Sequence, residues 1–160
     1  MADLDTSPVD PLALAARGLE LSGLEYIEAI FRGELPPPPP IATLMGFRGV
    51  EAELGRALFE MEPGSQHYNP IGSVHGGVAL TLLDSAMGCA IHTTLEQGVS
   101  YTTLEVKTNF VRPISADTGL ISCEGRVIHP GSRVATAEGR LTDSAGKLLA
   151  HGTTTCLIVR

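Results

Sequence analysis

The sequence predicts an α+β fold in which one buried helix is wrapped by an antiparallel sheet of five or six strands. Two observations carry that reading. After Gly76-Gly77, the stretch "VALTLLDSAMGCAIHTTL" is apolar on nearly every side, as a helix enclosed by protein must be. Four segments rich in Val, Ile and Thr then run to Val159 with apolar and polar residues alternating, the pattern of strands that bury one face.

The elements follow in chain order. Residues 1–18 are rich in Ala, Asp and Pro and read as a loose tail. Residues 19–45 form an arm, read as a clamp or lid and not a second domain: "LEYIEAIFRGEL" places Leu24, Ile27, Ile30 and Phe31 at helical spacing, and "PPPPP" stops that helix and favours an extended polyproline segment. Residues 46–160 form the main domain. In "GVEAELGRALFEM" apolar and polar residues alternate around Gly55, giving two short strands or one bulged strand. The helix follows Gly76-Gly77 and ends at "EQG". Strands are expected over residues 102–112, 118–128, 133–142 and 147–159 as a meander, with "HPGS" and "DSAG" short enough for hairpins.

Composition narrows the function. A net charge of −7 and no block of Lys or Arg argue against nucleic acid, which needs a basic field. A phosphorylated small molecule stays open, because local arginines or a helix N-terminus decide such contacts. Cys89, Cys123 and Cys156 are odd in number and widely spaced, so they read as free thiols of a reducing compartment. The N-terminal sequence lacks the pattern of a secretory signal and no apolar run reaches about 20 residues, so a cytoplasmic protein is expected, with no membrane partner. The histidines show no metal-ligand spacing, and GxSxG, GxxxxGK[ST] and GxGxxG motifs are absent. No metal or cofactor is expected.

The chemistry concentrates in "NPIGSVHGGVALTLLDSA", residues 69–86. Asp84 stands among Leu82, Leu83, Ala86 and Met87, where a carboxylate is costly unless bonded or held for chemistry; desolvation there would make it a better base. Gly76 and Gly77 open the helix, where backbone N–H groups lack partners and the dipole favours negative charge, a suitable oxyanion site. Asn69 offers an amide donor and acceptor to a water or carbonyl, or makes an Asn-Pro turn. His75 can act as acid or base, or fix the loop. Eight helical residues separate Asp84 from Gly76 by about 12 Å, too far for both to grip one carbonyl. If they cooperate, a second copy of the chain supplies one of them.

Asn69, Gly76-Gly77 and Asp84, with His75 before the glycines, form an N-x6-GG-x6-D pattern that resembles the hotdog-fold acyl-CoA thioesterases of the phenylacetate-pathway (PaaI-like) group. The likeness covers about residues 46–160, including "TTLEVKTNFVRPI" and "LLAHGTTTCLIV", and excludes the tail and arm. It implies a homodimer, often paired again into a homotetramer, with active sites at the dimer interface. It further implies that Asp84 activates water or attacks the thioester, that the Gly76 N–H polarises the carbonyl, and that Asn69 holds the water or carbonyl. His75 would shape the loop, and Thr103, or its neighbour Thr102, would position water beside the carboxylate. Gly77, Arg112, Ser132 and Arg133 are candidates for substrate contact, the arginines for coenzyme A phosphates. The implied reaction is hydrolysis of an aryl- or medium-chain acyl-CoA. Two alternatives are hydration or dehydration of an enoyl-CoA, which normally pairs a His with an acid, and acyl-CoA binding without turnover.

Overall fold

The computed structural model describes residues 11–35 and 38–160. The tail expectation for residues 1–10 and the part of the polyproline expectation on residues 36 and 37 lie outside them. Pro11–Gly18 is helical (α1), where a loose tail was expected. Helix α2, Gly23–Phe31, starts where Ser22 and Glu25 cap each other: Ser22 N–H donates to Glu25 Oε2 (3.0 Å) and Glu25 N–H to Ser22 Oγ (3.4 Å). The last proline does not prolong an extended segment. Pro40 occupies the first position of a short helix α3, Pro40–Met45, where its missing N–H costs nothing.

Strands β1 (Phe47–Glu53) and β2 (Arg56–Met61) form a hairpin whose turn uses Gly55 at φ 77°, and β1 carries a bulge near Val50. After α4, Gly76–His92, come β3 (Ser100–Phe110), β4 (Ile121–His129), β5 (Val134–Asp143) and β6 (Leu148–Val159). All pairings are antiparallel and the order is β1-β2-β4-β5-β6-β3. The meander therefore fails at one junction. β4 pairs with β2, and β3 lies at the far edge beside β6, because the long link after Phe110 carries the chain across instead of turning back. Both expected hairpins, β4–β5 and β5–β6, form.

Helix α4 sits in the curve of this six-stranded sheet. Leu82, Leu83, Met87 and Ile91 are completely buried, each contributing about 2 kcal/mol against exposure. Two paired glycines let the helix come close: a Cβ on Gly125 would lie 2.2 Å from the Ala86 carbonyl oxygen, and one on Gly139 2.8 Å from Leu83. No described helix is long and apolar enough to cross a membrane.

Candidate active site

Two separate clusters form along α4. At its first turn, the loop before the helix is held by side chains that cap backbone groups. Asn69 Oδ1 accepts from Ile71 N–H (3.1 Å) and Ser73 N–H (3.2 Å), while Asn69 Nδ2 donates to Ser73 Oγ (3.1 Å). The acceptor is thus committed to the turn, and one amide hydrogen is left for a ligand. His75 is the N-cap; its Nδ1 accepts the Gly77 N–H at 2.8 Å, which fixes the ring and leaves the proton on Nε2. The Gly77 donor is therefore already engaged, whereas the Gly76 N–H has no partner among the described residues. Behind the loop, buried His67 accepts from Gly64 N–H (2.9 Å) and meets the Met45 carbonyl oxygen (3.1 Å). Gly76 opens onto a cleft of about 360 Å³ shared with Asn69, His75, Phe110 and Arg112.

Two helical turns further on, Asp84 Oδ1 accepts a hydrogen bond from Thr103 Oγ1 at 3.0 Å. The choice between Thr102 and Thr103 falls to Thr103, because Thr102 is exposed on the other face of β3. Strand alternation alone would turn Thr103 and Phe110 to opposite faces, since they are an odd number of residues apart. A bulge at Leu104 adds the extra residue that brings both to the helix side. Asp84 is half-buried, and no Lys, Arg or His bonds to it among the described residues. It lies in the wall of a cavity of about 420 Å³ lined by Ile27, Ile30, Phe31, Phe59 and Tyr101. Burial, helped by the charge of Asp84, pushes the Cys89 thiol in that wall up to about 12, and burial raises the Tyr101 phenol, so both stay protonated. Burial also lowers His92 to about 4, so it is neutral at physiological pH.

The two cavities share no lining residue. Within one chain, then, Asn69, His75, Gly76 and Arg112 come together, and Asp84 and Thr103 come together elsewhere. Ser132 and Arg133 are exposed in the β4–β5 turn and line neither cavity. Arg112 donates to the Leu148 carbonyl from the edge of the Gly76 cleft. The sequence reading missed Tyr101 and Cys89 beside Asp84, and which arm residues line the same cavity. Tyr101 carried a usable signal, two residues before Thr103 on the same strand face; the arm was legible as a clamp or lid, but not which of its residues reach the cavity, because its docking is long-range. No group of three or more metal-binding side chains is assembled among the described residues.

Residues 71–150 match the thioesterase superfamily, a stretch that spans half of the chain. The chain belongs to this superfamily. Human acyl-coenzyme A thioesterase 13 is 30% identical over 104 residues, covering 64% of this chain and 73% of the relative. The 1,4-dihydroxy-2-naphthoyl-CoA hydrolase of Listeria monocytogenes is 29% identical over 105 residues, covering 66% and 84%. Among solved structures, a phenylacetic acid degradation-related protein of Ralstonia eutropha JMP134 superposes with a TM-score of 0.74 at 31% identity, covering 82% of this chain and 98% of that one. The hotdog fold and the PaaI-like resemblance both stand on these likenesses. A thioester hydrolase is what the superfamily makes of this fold, and the six strands around α4 are that fold.

Proposed function

We propose that this thioesterase hydrolyses aryl- or medium-chain acyl-CoA at a site completed by two copies of the chain, Asp84 from one facing the Gly76 N–H of the other. The observation that carries this is the separation of the two half-sites on one continuous helix, about 12 Å apart and opening into different cavities. Among the described residues the edge of β3 away from β6 is unpaired, a surface for antiparallel addition of a second β3. Thr103 stands level with Asp84 and Phe110 with Gly76. A two-fold axis perpendicular to the sheet near Val106 and Lys107 sets Thr103 of one strand against Phe110 of its twin. Asp84 and the partner's Gly76 then share one cleft.

In that cleft Asp84 takes a proton from water, the water oxygen bonds to the thioester carbon, and the carbonyl oxygen gains charge. The Gly76 N–H at the helix N-terminus stabilises that charge; a single such donor contributes about 3 kcal/mol. Collapse breaks the C–S bond and the proton passes to the departing sulfur. Direct attack by the carboxylate on carbon is the second route to the same products. Thr103 holds Asp84 in place and Asn69 presents its spare amide hydrogen to the carbonyl. Arg112, at the rim of the Gly76 cleft, meets coenzyme A phosphates, with Ser132 and Arg133 as outer contacts. Exposed Ile128, Val134 and Leu157 on the outer face of the sheet support pairing of dimers into a tetramer. The free cysteines, two of them buried, support a cytoplasmic setting.

Mixing two inactive variants tests the shared site. Asp84→Asn removes the base, and Gly76→Pro removes the N–H at a position where proline suits the helix. Dissociated and reassociated together in equal amounts, they form about half heterodimers by random pairing, each with one intact site. Recovery of roughly a quarter of wild-type thiol release supports the proposal; no recovery, with heterodimers demonstrated, rejects it.

A further inference from the structure

The cavity beside Asp84 is walled on one side by the core of the fold and on the other by α2, Pro38, Pro39 and α3. Those arm elements lie wholly outside the stretch that matches the superfamily. The arm is fastened at defined points. Gly23 packs where a Cβ would sit 1.7 Å from the His92 carbonyl oxygen, and its N–H donates to Leu95 O at 2.9 Å. The Phe31 ring fills the space above Gly49, 2.1 Å from where a Cβ would be, and meets Phe59 edge-on at 5.0 Å. Met45 O is held by His67. Between these anchors Ile30 and Ile41 line the cavity, and Ile41 remains 47% exposed, so apolar surface faces a space the protein itself does not fill.

We propose that the arm is the acyl gauge of the enzyme: the acyl group lies between α4 and the α2–α3 arm, with Ile30 and Ile41 setting its permitted length. This rests on the catalytic reading, because Asp84 in the cavity wall is what brings the thioester carbon there. The lining is mostly apolar, and its one arginine, Arg48, is paired with Glu60 at 2.9 Å, so the charged coenzyme A moiety is poorly matched there and the acyl group is the occupant. At about 30 Å³ per water-sized group, a cavity of about 420 Å³ has room for roughly a dozen carbons with their hydrogens. Each methylene that fits adds roughly a three- to fourfold gain in binding. Specificity rises with chain length through the medium chains and falls beyond them.

Full-length wild type, Ile41→Trp and Ile30→Ala are assayed with acetyl-, hexanoyl-, decanoyl- and palmitoyl-CoA. In the wild type, kcat/KM for decanoyl-CoA exceeds that for palmitoyl-CoA by at least about tenfold. Ile41→Trp, on a half-open position that tolerates bulk, lowers the decanoyl-to-acetyl ratio at least about tenfold, and Ile30→Ala raises the palmitoyl-to-decanoyl ratio. Ratios that stay constant while all rates move together assign the arm a purely structural role and overturn the proposal. If the wild type hydrolyses none of the four, the medium-chain form of the catalytic reading fails by itself. The gauge is then judged by calorimetric binding of the same thioesters, where decanoyl-to-acetyl affinity ratios unchanged by Ile41→Trp reject it and narrowed ratios uphold it.

Discussion

Along α4, Gly76 stands where a backbone donor meets an open cleft lined in part by Asn69, His75 and Arg112, whereas Asp84 stands eight residues later in a wall that is mostly apolar. The first half-site arises from what every helix start lacks, partners for its first N–H groups, and the loop around it is fastened by Asn69, Ser73 and His75 so that one donor stays free. The second arises from a side chain that the fold accommodates at a cost, steadied among the described residues by one hydroxyl and no cation. In the proposed mechanism backbone supplies the electrophilic half and a half-buried side chain the basic half, and a single straight helix does not join them.

This contrast is broken most severely by Asp84→Asn. The amide keeps the size of the side chain and loses the basicity, so thiol release from acyl-CoA falls by at least about 1,000-fold. Because the variant removes a charge from an apolar wall, its melting temperature stays equal or rises, which separates lost chemistry from lost fold.

At the other half-site, Gly76→Pro lowers kcat by about 100- to 1,000-fold, the range for loss of one oxyanion donor. Proline is acceptable there because His75 already has the extended φ −62°, ψ 135° that a residue before proline prefers. The added ring presses on Phe110, whose side chain is exposed and can move aside. Circular dichroism retains the helix content; a loss of helix with the activity would show that the turn and not the donor was removed.

The smallest effect sharpens the comparison. Thr103→Val keeps the shape of the side chain and deletes the bond to Asp84; hydrogen bonds to charged groups contribute about 1.5–3 kcal/mol, so kcat drops about tenfold or somewhat more. A rate equal to wild type would mean that Asp84 is held by packing alone.

Much of this was legible in the residues. The enclosure of α4 follows from its all-round apolar sequence, and the strands from their period of two, because both patterns record local geometry. The candidacy of Asp84 rests on an expensive residue in apolar surroundings, which is legible in the sequence. The position of β3 at the sheet edge was not, since a link such as "RPISADTG" constrains its own turn and not which strand the chain joins next. The arm was misread for a related reason: proline chemistry at Pro40 suits both an extended segment and a helix start, and only docking against β1 and His67 selects the helix.

By itself the sequence determined the α+β class, the central helix, and the spacing of Gly76 and Asp84 along it, because these depend on rise per residue and on the local alternation of apolar and polar groups. Tertiary structure decided the rest: that Thr103 and not Thr102 reaches Asp84, that the arm closes one side of its cavity, and that the helix keeps its two chemical ends in separate openings. Those outcomes turn on a one-residue bulge at Leu104 and on the Phe31 ring seated over Gly49, contacts between segments distant in the chain whose energies no local pattern encodes.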